Sequence, residues 1–186
     1  MELNLANKRV IITGASKGIG KAIASAMAGE GAQLAICARG AESLNVTQKE
    51  LLENNIKVFS KACDVADKDQ LSDFLDESHA ALGGIDVLIN NTSGFGLTDD
   101  EEGWKAGIDV DLMASVRATQ KVIPWLEEAN GGSIIHVSSI SGMEAGSPPA
   151  YAAVKAALIN HAKTMAQELA AKNIRVNCVA PGSVWV

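Results

Sequence analysis

A tyrosine and a lysine four residues apart, Tyr151 and Lys155, form the pair of side chains best suited to chemistry in this sequence. On a helix this spacing places both side chains on one face. An ammonium group beside a phenol favours the phenolate, so the tyrosine can act as a general acid or base. A serine shortly upstream, Ser138 or Ser139, can hydrogen-bond the oxygen of a carbonyl or an alcohol.

A glycine-rich turn, Thr13-Gly14-Ala15-Ser16-Lys17-Gly18-Ile19-Gly20, follows the first predicted strand and runs into a helix. Glycines let the main chain approach a pyrophosphate, and the free N–H groups of the helix start offer it partial positive charge. The turn lacks the Gly-Lys-Ser/Thr ending of a nucleotide triphosphate loop. The context favours a dinucleotide cofactor over a tight turn with a purely structural role.

The residue directly after the second predicted strand indicates which cofactor is used. In this position an acidic residue binds the free 2′-hydroxyl of NAD, whereas an arginine pairs with the 2′-phosphate of NADP. Here the residue is Arg39, and Lys17 in the glycine turn adds a second positive charge. We therefore expect NADP rather than NAD, although both cations could also be ordinary surface residues.

Six short runs rich in Val and Ile alternate with helical stretches, as buried parallel strands do with their crossover helices. The predicted strands are 9–13, 33–38, 57–62, 86–90, 133–138 and 174–179, and the predicted helices are 19–29, 41–54, 68–82, 100–129 and 150–172. Right-handed crossovers then give an α/β fold, a doubly wound parallel sheet of the Rossmann-like kind. Its ligand is expected at the carboxyl ends of the strands.

Two of these helices carry patterns of their own. In predicted helix 100–129, Trp104, Ile108, Leu112 and Val116 recur every four residues, which predicts an apolar stripe that faces the core. Predicted helix 150–172 is rich in alanine, so another helix or sheet can approach it closely. One use would be a subunit interface, and we expect a homo-oligomer, either a dimer or a tetramer.

The composition indicates a single globular domain over residues 1–186, with 47% hydrophobic and 20% charged residues. A net charge of −6 argues against nucleic acid and anionic membranes as partners. The sequence has neither a signal peptide nor an apolar run of about 20 residues, so a cytoplasmic location is expected. Cys37, Cys63 and Cys178 are interpreted as reduced core thiols, and no metal site is predicted.

Taken in order, several motifs resemble the short-chain dehydrogenase/reductase family over about residues 5–182. They are Thr13-Gly14-x3-Gly18-x-Gly20, Asp64-Val65, Asn90-Asn91, Ser139, Tyr151-x3-Lys155, Arg175-Val176-Asn177 and Ala180-Pro181-Gly182. The resemblance implies reversible hydride transfer between NADP(H) and a small-molecule carbonyl or alcohol.

The resemblance also assigns roles to residues of this chain. Tyr151 would be the acid/base, Lys155 would favour its phenolate and bind the nicotinamide ribose, and Ser139 would orient the substrate oxygen. The residues expected to contact the cofactor, besides Arg39, Tyr151 and Lys155, are Gly14, Ser16, Lys17, Gly18, Ile19, Gly20, Asp64, Val65, Asn91, Pro181, Gly182 and Val184.

Three local departures from the family pattern are visible. Asp111 replaces the asparagine that holds a proton-relay water, so it is either a catalytic residue of altered pH dependence or a helix-surface aspartate. The run Asn91-Thr92-Ser93-Gly94 replaces Asn-Ala-Gly, and a one-residue shift of the loop would absorb the difference. Ser139 fits the Ser-x-x-Gly pattern, whereas Ser138 restores the customary distance to the tyrosine.

The fourth departure is length, because family members usually continue for roughly 60 to 70 residues after this point. The usual seventh strand and the C-terminal substrate loop are expected to be missing. The sequence thus predicts an NADP-dependent oxidoreductase of the short-chain type. The alternative is a catalytically silent NADP-binding module, or a truncated fragment, that acts through association.

Overall fold

A computed structural model describes residues 3–184, and these residues form one six-stranded parallel sheet flanked by helices. The strands, in chain order, are β1 (Arg9–Thr13), β2 (Gln33–Ala38), β3 (Val58–Ala62), β4 (Val87–Asn90), β5 (Gly132–Val137) and β6 (Ile174–Val179). Their order across the sheet is β3-β2-β1-β4-β5-β6. The predicted doubly wound, Rossmann-like α/β fold is confirmed, and the family's seventh strand is not among residues 3–184.

The crossover connections are helical. The α-helices are α1 (Gly18–Gly29), α2 (Ala41–Leu52), α3 (Lys68–Leu82), α4 (Glu101–Ala106), α5 (Ala114–Glu128) and α6 (Pro149–Leu169). A π-helix, Gly107–Met113, joins α4 to α5, and short 3₁₀ turns occupy Ile140–Gly142 and Ala170–Lys172. In the part of the chain that the structure describes, no helix is long and apolar enough to cross a bilayer.

Helices cover both faces of the four central strands, β2, β1, β4 and β5, and adjacent residues of each strand point to opposite sides. Val10 and Ile12 pack with α1 and α2, whereas Ile11 between them packs with α3, α5 and α6. All three of these side chains have no exposed surface. This explains why the strands read as continuous apolar runs rather than as alternating patterns.

The strand predictions hold to within one residue at each end, but one helix prediction was wrong. The stretch 100–129 is three consecutive elements, and the π-helix in its middle changes which residues face the core. Ile108, predicted to lie in the apolar stripe, is 39% exposed, whereas Gly107 and Asp111 are buried. The stripe fails because a π-helix closes its hydrogen bonds over one more residue than an α-helix does.

The direction of strand addition reverses at β1, which lies between β2 and β4. In a doubly wound sheet the ligand crevice lies beyond the carboxyl ends of the strands at this switch point. The loops after β1 and β4 therefore meet where a cofactor is expected.

Candidate active site

The turn between β1 and α1 has the main-chain geometry that its glycines suggest. Gly14 and Gly18 have φ values of +69° and +58°, in the left-handed region that favours glycine. A Cβ atom on Gly20 would lie 2.2 Å from the carbonyl oxygen of Gly14. The side chain of Lys17, the residue before the helix, makes no capping hydrogen bond, so the first N–H groups of α1 can donate hydrogen bonds to an anion.

Asn91 joins the end of β4 to this turn. Its side-chain nitrogen donates to the carbonyl oxygens of Thr13 at 3.1 Å and Gly14 at 3.0 Å. Its main-chain N–H donates to the hydroxyl of Thr13 at 3.0 Å. Both sides of the switch-point crevice are thereby held in a fixed relation.

The residues expected near an adenosine moiety follow β2 and β3. Arg39 is exposed directly beyond β2, and Val65 is buried beyond β3. The Asp64 carboxylate accepts the N–H of Ala66 at 3.1 Å and so shapes its own turn.

Two of the three cysteines lie beneath these turns. Cys37 and Cys63 are buried, and Cys178 is half-buried. The hydrogen bond with Cys63, together with burial, raises the pKa of the Cys37 thiol well above its ordinary value. The three thiols are free, as the sequence predicted.

Tyr151 and Lys155 lie on the first turns of α6, which begins at Pro149. The Lys155 side chain is only 2% exposed, and its Nζ lies 5.5 Å from the centre of the Tyr151 ring. Nζ donates to the carbonyl oxygen of Val137 at 3.2 Å. The ammonium group is therefore fixed beside the phenol, as the four-residue spacing predicted.

Asp111 completes the surroundings of this lysine. Its side chain has no exposed surface, and its Oδ1 lies 2.9 Å from Lys155 Nζ. The helix-surface alternative for Asp111 is thus wrong. Removing one partner of a buried ion pair leaves an uncompensated charge, so both residues are needed together.

The two adjacent serines have different partners. Ser138 is buried and its hydroxyl donates to the main-chain oxygen of Lys155 at 2.7 Å. The Ser139 oxygen accepts the N–H of Ser141 at 3.1 Å, which leaves its own hydroxyl proton available. This arrangement favours Ser139 as the residue that donates to a substrate oxygen.

The segment after β6 lies alongside the segment after β5. Ile140 donates its N–H to the carbonyl oxygen of Pro181 at 3.0 Å. A Cβ atom on Gly182 would be 3.8 Å from Ile140 Cδ1, and Val184 is 52% exposed. Every candidate site residue except Asp111 and the α1 and α6 residues thus follows the carboxyl end of a strand, on one edge of the sheet.

Two features near the site were missed from the sequence. Phe95, in the loop after β4, stacks on Tyr151 with ring centres 6.4 Å apart and rings 8° from parallel. His136 is fully buried between Asn90 at 3.1 Å and His161 at 3.1 Å. Neither contact could be predicted from neighbouring residues in the sequence, although the register of β4 and β5 pairs Asn90 with His136.

The chain resembles known proteins over nearly its whole length. A family model described as short chain dehydrogenase matches residues 8–185. The chain is 40% identical over 191 aligned positions to the 3-oxoacyl-acyl-carrier-protein reductase FabG of Thermotoga maritima, a match that covers 98% of this chain and 76% of that protein.

Solved structures agree with the sequence matches. L-sorbose reductase from Gluconobacter frateurii, complexed with NADPH and L-sorbose, has a TM-score of 0.94 at 34% identity, over 100% of this chain and 73% of its own. A 7 alpha-hydroxysteroid dehydrogenase complexed with NADH and 7-oxo glycochenodeoxycholic acid has a TM-score of 0.93 at 32% identity, over 97% and 72%. On the sheet order, the glycine turn, the Tyr151–Lys155 pair and these matches, the chain belongs to the short-chain dehydrogenase/reductase family of oxidoreductases.

Proposed function

We propose that this protein transfers a hydride reversibly between NADP(H) and a small-molecule carbonyl or alcohol, with Tyr151 as the general acid/base. The observation that carries the proposal is the buried Lys155 ammonium, 5.5 Å from the Tyr151 ring centre. A cation held in a buried site acts on its neighbour more strongly than one in water. It therefore stabilises the negative charge that develops on the Tyr151 oxygen while its proton is transferred.

The crevice at the switch point suits a dinucleotide. The glycine turn brings the main chain close to the place of a pyrophosphate, and the uncapped start of α1 offers N–H donors. The residues that would hold the cofactor are Gly14, Ser16, Lys17, Gly18, Ile19, Gly20, Arg39, Asp64, Val65, Asn91, Tyr151, Lys155, Pro181, Gly182 and Val184. When bound, the nicotinamide ring supplies or accepts the hydride.

The side chains of this chain would carry out the proton transfer. For reduction, the Tyr151 hydroxyl donates its proton to the substrate oxygen while Ser139 donates a hydrogen bond to the same oxygen. For oxidation, the Tyr151 phenolate takes the alcohol proton. In both directions Lys155 is held in place by Asp111 and the Val137 carbonyl oxygen.

NADP is preferred over NAD in this proposal because two exposed cations lie near the expected cofactor. Arg39 lies in the turn after β2, and Lys17 lies in the turn after β1. Relatives are known with either cofactor form, NADPH in one solved structure and NADH in another. The preference therefore depends on the charges of this chain, since a 2′-phosphate needs a cationic partner.

We propose further that residues 1–186 form a single cofactor-binding domain, because all six strands share one sheet. The homo-oligomer and the cytoplasmic location stay predictions from the sequence.

The test combines binding with turnover. NADPH should raise the Tm of the chain more than NADH does, because a ligand that binds only the folded state stabilises it. Turnover should be measured on a panel of carbonyl compounds. The panel should include a 3-oxoacyl thioester and a ketose, since these are substrates named for relatives. Tyr151→Phe should abolish turnover and change NADPH affinity by less than about tenfold, since only one hydroxyl is removed.

Two results would contradict the proposal. Turnover by Tyr151→Phe at the rate of the unmodified chain would exclude the acid/base role. Stabilisation by NADPH without turnover on any carbonyl would favour the alternative of a silent cofactor-binding module.

A further inference from the structure

The loop after β4 is packed directly onto the main chain of α4 and the π-helix. A Cβ atom on Gly94 would lie 2.5 Å from the carbonyl oxygen of Ala106 and 3.1 Å from Val110 Cβ. A Cβ atom on Gly96 would lie 2.3 Å from the carbonyl oxygen of Gly103. The longer loop is therefore accommodated by glycines that let it touch the helix, and its position depends on this contact.

Asp111 holds the same loop by its side chain. Asp111 Oδ2 accepts the N–H of Gly94 at 2.7 Å, while Oδ1 lies 2.9 Å from Lys155 Nζ. Oδ2 thus accepts a hydrogen bond from the loop, and Oδ1 forms an ion pair with the ammonium on α6. An asparagine has a single oxygen, so its NH₂ group would face either Gly94 N–H or the ammonium of Lys155.

The π-helix gives Asp111 this position. Its wider turn disturbs the usual main-chain hydrogen bonds, and the Ser115 hydroxyl donates to the carbonyl oxygen of Asp111 at 2.8 Å. π-helical turns often occur at functional sites. Here the turn directs a carboxylate between the loop and α6.

We propose that Asp111 is a positioning residue whose single carboxylate anchors both Lys155 and the lengthened loop Thr92–Gly94, so that the two departures from the family pattern form one functional unit. The proposal rests on the proposed function, since it gives Lys155 its place in the proton transfer. A carboxylate supplies an oxygen for each of the two contacts, which an amide cannot do.

The carboxylate also sets the charge beside the acid/base. The titratable groups around Lys155 are Asp111 from the π-helix, Tyr151 from α6 and Cys178 from β6. On β5, His136 faces α6 at His161 and is neutral when buried. The loop contributes the Gly94 N–H but no charge.

Asp111→Asn is the direct test. The change removes the negative charge that offsets the ammonium, so the acid limb of alcohol oxidation in the kcat profile should move to lower pH by about one unit. It also loses one of two acceptors, so the pH-independent value of kcat above that limb should fall by about tenfold or more. NADPH should bind several-fold more weakly because the loop borders the cofactor crevice.

Asp109→Asn is the matched control, because Asp109 lies in the same π-helix and pairs with the exposed Lys105. It should leave the pH profile and the NADPH affinity within about twofold of the unmodified chain. If Asp111→Asn behaves like Asp109→Asn in an enzyme that turns over normally, the inference is overturned while the proposed function stands. Absence of turnover in the unmodified chain would instead contradict the proposed function.

Gly94→Ala separates anchoring from charge and serves if Asp111→Asn fails to fold. The added methyl group displaces the loop from Ala106 but leaves the ion pair. NADPH affinity should fall while the pH profile of kcat keeps its shape. NADPH affinity equal to that of the unmodified chain would overturn the anchoring role of the loop contact.

Discussion

The side-chain nitrogen of Asn91 lies 3.0 Å from the carbonyl oxygen of Gly14, and this bond joins the turn after β1 to the loop after β4. Gly20 packs against both atoms of this hydrogen bond. A Cβ atom there would be 2.4 Å from the Asn91 nitrogen and 2.2 Å from the Gly14 oxygen. Direct contact thus joins the start of α1, the glycine turn and the end of β4. This contact is possible because Gly20 has no side chain.

Gly20→Ala should therefore damage both stability and cofactor binding. Because a main-chain oxygen must move, we expect a loss of about 1–3 kcal/mol in the free energy of unfolding. The Tm would fall by several degrees. NADPH affinity should drop by about tenfold or more, as measured by calorimetric titration.

The control is Gly29→Ala in the same helix, since a Cβ atom there meets no atom within 4 Å. Its Tm should be unchanged or slightly higher, because alanine is the better helix former. Equal effects of the two substitutions would show that the contact at Gly20 is not limiting.

Arg39→Asp should change the cofactor preference. An aspartate repels the 2′-phosphate and can accept a hydrogen bond from a free 2′-hydroxyl, so kcat/KM should shift from NADPH toward NADH by about a hundredfold or more. Steady-state kinetics with both cofactors measure the change.

Arg175→Asp is the corresponding control, because it makes the same charge change at an exposed position of β6. Its cofactor preference should equal that of the unmodified chain. An unaltered preference in Arg39→Asp would mean that Arg39 does not contact the 2′-phosphate.

The two serines can be distinguished by substitution. Ser139→Ala should lower kcat by about a hundredfold, the usual effect of removing one donor to a developing oxyanion. Ser138→Ala loses the buried bond to the Lys155 carbonyl oxygen and should cost about 1–2 kcal/mol of stability. A greater loss of kcat in Ser138→Ala than in Ser139→Ala would reverse the assignment.

Acid should destabilise the fold through His136. Burial, followed by the charge of His161, lowers the pKa of His136 to about 4, whereas an unfolded histidine titrates near 6.5. Between these values the unfolded chain binds a proton that the folded chain does not, so the free energy of unfolding falls as pH decreases. The total loss from this residue is about 3 kcal/mol.

His136→Gln should flatten this dependence between about pH 6.5 and pH 4. Denaturant unfolding at a series of pH values measures it. Parallel curves for the variant and the unmodified chain would show that another group causes the acid sensitivity.

Much of this molecule could be predicted from local pattern. The strands are identifiable because both faces of a parallel sheet are buried, which produces Val- and Ile-rich runs. Tyr151 and Lys155 could be paired because an α-helix brings residues four apart together. The order of the glycine turn, Asn91 and the tyrosine pair then identified the family.

What could not be predicted depends on contacts between elements. The predicted stripe from Trp104 to Val116 assumed an unbroken α-helix, and nothing in the sequence marks the π-turn. Glycines face the neighbouring helix instead: a Cβ atom on Gly107 would lie 3.4 Å from the Val154 methyl groups. The bond from Gly94 to Asp111 was equally hidden, because it depends on a loop conformation.

The π-helix Gly107–Met113 holds one residue more than an α-helical path between α4 and α5 would need. Deletion of one residue there would let the backbone close into an ordinary α-helix while α4 and α5 keep their mutual orientation. A deletion within α5 would instead rotate the two parts of that helix by about 100° relative to each other. Scanning single deletions along the chain should therefore find that the fold tolerates them better in the π-helix than in the regular α-helix that follows.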